Sequence, residues 1–271
     1  MKSKRLLAGP YLFWAVSFII IPLLMIVYYG LTAEDKTFTL MNIARITTAE
    51  NLKALGLAIL LAVISTVICL ILAYPLAMIL SSSNMNQSSF IVLIFILPMW
   101  MNFLLRTMAW QNLLEKNGVL NDILTFFHLA PLEIINTPYA IVLGMVYNFL
   151  PFMVLPLYNI LSKIDKDVIN AAKDLGANNF QTFVKITFPL SLPGIISGIT
   201  MVFVPALTTF VISDLLGGGK ILLIGNVIEQ TFKQGSNWNL GSGLSLVLMV
   251  FVIASMALVS KYDKDGEGAT F

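Results

Sequence analysis

Long uncharged runs alternate with short polar clusters from one end of the chain to the other. No Asp, Glu, Lys or Arg occurs from Leu6 to Ala33 or from Ala54 to Leu105. A helix needs about 20 apolar residues to cross a bilayer. With turn residues as punctuation, the pattern predicts spans at 8–31, 55–80, 90–114, 138–161, 193–216 and 243–260. The segment "SSSNMNQSS" (81–89) is too polar for lipid and parts the second span from the third as a hairpin. The fold class predicted is therefore an all-α integral membrane protein with six transmembrane helices.

Six crossings put both termini on one side. Segments on the amino-terminal side carry Lys2, Lys4, Arg5, Lys163, Lys166, Lys173, Lys185, Lys261 and Lys264, against Lys36, Arg45, Lys53, Arg106, Lys116, Lys220 and Lys233 on or near the other. Basic residues favour the cytoplasm, and the cluster within the first five residues, free of acids, sets the amino terminus inside. The apolar run that follows exceeds the 7–15 residues of a signal core and ends in no A-x-A-like site, so it reads as a retained first span.

Composition agrees. Of 271 residues, 58% are hydrophobic and 11% charged, where soluble domains carry about 25% charged residues. Mean hydropathy is +0.88. Little chain remains for an extramembrane domain, so residues 1–271 read as one transmembrane domain. A net charge of +2 gives no reason to expect a nucleic-acid partner, and the single Cys69 forms no disulfide framework. His128 stands without metal-ligand company and no metal site is expected. No nucleophile and base come together, so no enzyme is read here. "GGGK" (217–220) is followed by Ile221 and lacks the G-x-x-x-x-G-K-[ST] of a phosphate loop; its glycines turn the chain after the fifth span.

One segment resists the pattern. Residues 162–192, between the fourth and fifth spans, hold most of "VINAAKDLGANNFQTFVKITFPLSLPGI" (168–195), a polar island on the cytoplasmic side. Asp167 is placed to cap a helix over Val168 to Leu175, Gly176 to end it in a left-handed residue, and Asn179 to cap a second turn toward Pro189. The small residues Ala171, Ala172 and Gly176 allow a partner close to the backbone, with Phe180 and Phe183 for apolar contact. A solvated interfacial helix without a partner fits the pattern too.

The spacing Asn170-Ala171-Ala172, three residues, Gly176, nine residues, Ile186, one residue, Phe188-Pro189 resembles the EAA loop of ABC-importer permeases, E-A-A-x3-G-x9-I-x-L-P. Asn170 stands where the family has Glu, and Phe188 where it has Leu, so a Glu-dependent contact does not transfer to position 170. The resemblance implies a type I ABC importer permease (MetI-like) architecture, with Asn170, Ala171, Ala172, Gly176, Phe180, Ile186 and Pro189 in a coupling loop that docks on a cytoplasmic ATPase. ATP and Mg would bind that partner, and this chain would hold no cofactor.

Three further stretches, "LPMWMNFLLRTMAWQNLLEKNGVLND" (97–122), "NTPYAIVLGMVYNFLPFMVLPLYNIL" (136–161) and "SDLLGGGKILLIGNVIEQTF" (213–232), are similar to the spermidine/putrescine permease family, to its PotB-like subunit above all. This implies polyamine uptake across the bacterial cytoplasmic membrane. The implied partners are a second, PotC-like permease, a PotA-like ATPase dimer and an external PotD-like binding protein. A polyamine needs carboxylates or oxygen dipoles for its ammonium groups and aromatic faces for cation–π contact. Glu115, Asp214, Trp100, Trp110, Tyr147 and Asn148 are the candidates, although Trp and Tyr also populate interface belts. Arg106, costly within a span, suits a gate or an ion pair with Asp214. Pro205, with Thr208 and Thr209 following, would loosen the fifth span and free carbonyls toward a cavity; ordinary kinking explains it equally well. A permease for another small cation, or a self-sufficient secondary transporter, remains the alternative; the internal repeats expected of the latter are not visible.

Overall fold

The computed structural model describes residues 9–82, 97–233 and 237–260. Its described residues are mostly helical, with an isolated bridge between Thr32 and Phe38 in place of any sheet. Helices in chain order are α1 (Gly9–Gly30), α2 (Ala49–Ser82), α3 (Phe103–Leu114), α4 (Val119–Phe126), α5 (Pro138–Leu161), α6 (Lys166–Asp174), α7 (Asn179–Thr208), α8 (Val211–Leu216), α9 (Ile224–Lys233) and α10 (Trp238–Ser260). Among the described residues α1, α2, α5, α7 and α10 are long and apolar enough to cross a membrane. Of the third predicted span, at 90–114, the described residues show the 12-residue α3, which is too short to span by itself, so five of the six predicted spans are matched. Its first residues, most of the 81–89 hairpin and the lysines at both termini lie outside the described residues.

Two compact units are present. The first draws on Met1–Leu55 and Ile224–Ala254. Within it the α1 carboxyl end is tied to the α10 amino end: Asn239 Nδ2 donates to the carbonyls of Thr32 at 2.6 Å and Tyr29 at 3.2 Å. Asn42 Nδ2 donates to the same Thr32 carbonyl at 2.9 Å. In the loop that follows α1, the Asp35 carboxylate accepts from the Thr37 hydroxyl at 2.6 Å and amide at 3.1 Å. These bonds favour its ionised form and hold its pKa below the ordinary carboxylate range.

The second unit draws on Gly56–Leu223 and Ser255–Phe271. At its centre α5 packs along α7. The approach is close because α7 offers glycine where α5 is bulky: a β-carbon at Gly198 would lie 2.5 Å from Met153 Sδ. Along these two helices Met153, Val154 and Leu157 of α5 and Ile195, Val202 and Ala206 of α7 are all buried.

α2 buries a stripe of small residues, Ala58, Ala62, Ser65, Cys69, Ala73 and Ala77, three or four apart and therefore on one face. Small residues let helix backbones approach closely in a membrane. The Ser65 hydroxyl reaches Met145 Sδ of α5 at 3.3 Å, and Cys69 Sγ lies 3.8 Å from the Val146 carbonyl. At 34 residues α2 runs about 51 Å, well beyond a hydrocarbon core of about 30 Å. Its polar first turn, Glu50 to Lys53, and its serine-rich end extend past the apolar stretch.

Candidate functional site

The polar island folds as a corner between two helices. Asp165, rather than Asp167, caps α6: its Oδ1 accepts the Asp167 amide at 2.9 Å. Asp167 instead sits in the first turn, where negative charge also opposes the helix dipole. Beyond α6 the chain turns at Gly176, whose φ of +88° is left-handed. The Gly176 amide donates to the Lys173 carbonyl at 2.9 Å and the Ala177 amide to Ala172 at 3.0 Å, closing the helix end.

The second helix is capped by Asn178, not Asn179. Asn178 Oδ1 accepts the Gln181 amide at 2.8 Å while Gln181 Oε1 accepts the Asn178 amide at 3.0 Å, a reciprocal capping box. α7 then widens into one π-type turn at Phe183–Thr187 before its apolar length begins.

This corner presents apolar side chains to the outside. Leu175 is 90% exposed and Phe180 73%, with Val168 and Val184 also open. Asn170, Ala171 and Gly176 are exposed beside them, as is Pro189, whereas Ala172 and Ile186 are half-buried. Leu175, the most open of these, is a residue the sequence reading passed over. It had no period to betray it, since one apolar residue before a glycine reads as the end of a helix.

The corner is anchored to the spans by aromatic packing. Tyr74 of α2 meets Phe183 edge-on at 5.7 Å and Phe188 at 6.3 Å. Ser191 donates to the Phe188 carbonyl at 2.8 Å. Its one proton being committed there, Tyr74 is the donor in the 2.7 Å bond to Ser191 Oγ. Beside these rings lies a groove of about 320 Å³ lined by Met78, Ser82, Ile169, Lys173, Asn179 and Phe183 among others.

A second group of predicted residues converges on α3, α5 and α8. Asn102 caps α3 by accepting the amides of Leu104 at 2.8 Å and Leu105 at 3.3 Å. Four residues on, Arg106 is only 7% exposed. Its guanidinium carbon stands 6.0 Å from the Tyr147 ring centre, and Trp110 meets the same ring edge-on at 5.1 Å. Trp110 and Tyr147 line an open apolar groove of about 400 Å³ with Ile68, Val146 and Leu150. Next to Tyr147, Asn148 is 1% exposed. Its Nδ2 donates to the Gly144 carbonyl at 2.8 Å, while its buried Oδ1 has no hydrogen-bond partner among the described residues. α8, which carries the half-buried Asp214, packs on both α3 and α5.

Other candidates stand apart from this cluster. Trp100 ends the short turn Leu97–Trp100 and is 76% exposed. Glu115 follows α3 at the surface. Through their side chains neither makes a hydrogen bond, ion pair or ring contact among the described residues. The fifth span does more than loosen near Pro205: α7 ends at Thr208, Thr209 is extended at φ −66°, ψ 141°, and α8 begins at Val211. Thr208 donates to the Val204 carbonyl at 3.0 Å, back-bonding to the last turn of the helix. The glycines after α8 turn the chain as predicted, Gly218 and Gly219 at φ 61° and 67°.

Sequence reading also missed Asn121 of α4. Buried, it donates to the carbonyls of Glu115 and Leu132, both at 3.1 Å, and accepts the Leu132 amide at 2.7 Å, stapling the loop between α3 and α5. Among the described residues no group of His, Cys, Asp and Glu side chains is placed to hold a metal.

Comparison with known proteins bears on both regions. A family model described as binding-protein-dependent transport system inner membrane component matches residues 73–262, which include the corner and the Arg106 cluster. The spermidine/putrescine transport system permease protein PotB of Haemophilus influenzae is 36% identical over 259 residues, 93% of this chain and 91% of the relative. PotB of Escherichia coli is 39% identical over 254 residues, 91% of this chain and 92% of the relative. A chain from the crystal structure of a bacterial ABC transporter involved in the import of the acidic polysaccharide alginate superposes with a TM-score of 0.81 over 98% of each chain; at 15% identity the likeness is one of fold. The helical architecture, the family match over most of the chain and relatives identical at more than a third of positions converge: this chain belongs to the binding-protein-dependent transport system inner membrane components, the permeases of ABC importers.

Proposed function

We propose that the chain is one of two permease subunits of an ATP-driven importer that takes up linear polyamines. The observation that carries the substrate is the similarity to spermidine/putrescine permeases along nine-tenths of both chains. The local chemistry supports it: the Trp110 and Tyr147 rings line an open groove, and aromatic faces are what an ammonium-bearing chain engages.

In this reading the chain spans the bacterial cytoplasmic membrane with both termini and the 162–192 loop inside. The Gly176 corner docks on a PotA-like ATPase dimer that binds ATP and Mg, and Leu175 and Phe180 are the apolar anchors of that contact. Asn170, Ala171, Ala172, Ile186 and Pro189 shape the same surface. A PotC-like permease completes the pathway, and a PotD-like external protein delivers the substrate. Arg106 and Asp214, carried by helices that pack together, form a gate; Thr208 and Thr209 mark the break that lets α8 move separately from α7. Glu115 and Trp100 serve at the entrance.

The test is reconstitution. Vesicles containing this chain, the second permease, the ATPase and the binding protein should accumulate labelled spermidine or putrescine only when ATP and all four components are present. ATP-dependent import of an anion or sugar, with polyamines ignored, would sink the substrate assignment and leave the permease role standing.

A further inference from the structure

Within the first unit a cavity of about 490 Å³ opens where α1 ends and α10 begins, lined by Met25, Tyr29, Glu34, Asn237, Trp238 and Asn239. It shares no residue with the Arg106 cluster. Its walls are fixed in place. Asn239 is bonded to the Tyr29 and Thr32 carbonyls, and Asn237 Oδ1 accepts the Leu240 amide at 2.9 Å. The Tyr29 and Trp238 rings stand 6.4 Å apart, tilted by 48°, and Phe232 backs Trp238 edge-on at 5.5 Å.

The charge on this wall is negative. Glu34 is exposed and has no hydrogen-bond or ion-pair partner among the described residues, whereas its neighbour Asp35 is engaged by Thr37. Two aromatic faces, an unengaged carboxylate and amide oxygens in a polar cavity match an alkylammonium group. The rings attract the cation and cover its methylenes, and Glu34 supplies the counter-charge. An anion would meet Glu34 unfavourably. The volume falls within the range of about 300–1,000 Å³ typical of small-molecule sites.

We infer that this cavity is a waiting site for one ammonium end of a linear polyamine, on the external face, with Tyr29 and Trp238 as its walls and Glu34 as its counter-ion. The inference rests on the polyamine reading and the orientation proposed above. It gives the loop between α1 and α2 a role in capturing substrate, separate from the groove beside Tyr147.

Two measurements test it on the assembled transporter. A spermine analogue bearing a diazirine at one end should, on illumination, label the segments containing Tyr29 or Trp238. Excess spermidine should suppress that label, and Glu34→Gln should weaken it about fivefold at probe concentrations below saturation. In vesicle uptake, Glu34→Gln and Trp238→Leu should each raise KM for spermidine about fivefold, within the range that loss of one cation–π or ion contact allows, with Vmax and membrane abundance unchanged. Glu34→Asp should recover most of the affinity. Labelling confined to other segments, or an unchanged KM in both variants while the unaltered system takes up spermidine, would overturn the site and leave the polyamine reading intact. No spermidine uptake by the unaltered system would remove that reading and the site together.

Discussion

Replacing Gly176 by valine tests the coupling surface with a single atom group whose effect can be worked out in advance. At φ +88° the backbone lies where L-residues are strained, and a β-carbon there meets nothing within 4 Å. Space is therefore not the obstacle; backbone conformation is. A left-handed residue costs about 1–2 kcal/mol for an ordinary side chain, and β-branching adds to it because χ1 is restricted. One to two kcal/mol is a factor of about 5–30 between conformers. The share of molecules presenting Leu175 and Phe180 at the native angle should fall by that factor, and capture of the ATPase with it.

Asparagine tolerates the left-handed region best among non-glycine residues, so the series should be graded: Gly176→Asn close to the original, Gly176→Ala intermediate, Gly176→Val weakest. The assay is the amount of ATPase retained on the tagged permease at limiting ATPase, beside ATP-driven uptake normalised to membrane abundance. A flat series, with valine retaining as much ATPase as asparagine, would refute the reasoning, because tolerance of the left-handed region is what ranks it.

Three further outcomes follow from the packing. Gly198→Val, which must displace Met153 from a β-carbon distance of 2.5 Å, should destabilise the α5–α7 contact by about 1–3 kcal/mol and lower the melting temperature of the detergent-purified chain; unchanged melting would show that the contact yields freely. Arg106→Glu and Asp214→Arg should each impair uptake and the double swap should restore part of it; defects that add within about 0.5 kcal/mol would show two independent sites. In a Cys69→Ala background, cysteine at Lys36 should react with an impermeant thiol reagent in intact cells. Cysteine at Asn179 should not, nor at Ser3 and Asp265, which lie outside the described residues; a labelled Asn179 would reverse the proposed orientation.

Five of the six predicted spans correspond to helices long and apolar enough to cross a membrane, while their ends were less legible. The fourth predicted span, 138–161, coincides with α5 because Pro138 and the polar residues after Leu161 mark both ends. The fifth, predicted at 193–216, begins as α7 at Asn179 and stops at Thr208. Uncharged length measures what fits in lipid, whereas a helix continues wherever its amides are satisfied, here back to a capping box in water. The cap itself was legible: Asn178 and Asn179 are alike alone, but only Asn178 has Gln three residues on.

Chemistry divides the same way. Burial of Arg106 against Tyr147 agrees with its place inside an uncharged run. Trp100 and Glu115 share its composition signal yet stand apart at the surface, since linear spacing does not report which side of a helix end faces a neighbour. The staple at Asn121 and the Tyr74 hydroxyl had no local signature, because each acts on partners fixed only by the turn of the chain between helices.

The small-residue stripe of α2 has a mechanical meaning as well as a packing one. Alanine has no side-chain rotamer to rearrange, so a face made of Ala58, Ala62, Ala73 and Ala77 presents an almost unratcheted track. A bulky, interlocking seam resists sliding by forcing every knob out of its hole. Along the stripe itself the contacts to α5 are the weak ones of Ser65 and Cys69, whereas the larger buried side chains of α2, Leu61, Tyr74 and Leu80, are what a shear motion of packed helices would have to displace. Resistance to sliding along α2 is thus concentrated in a few large side chains, among them Tyr74, whose hydroxyl is bonded to Ser191.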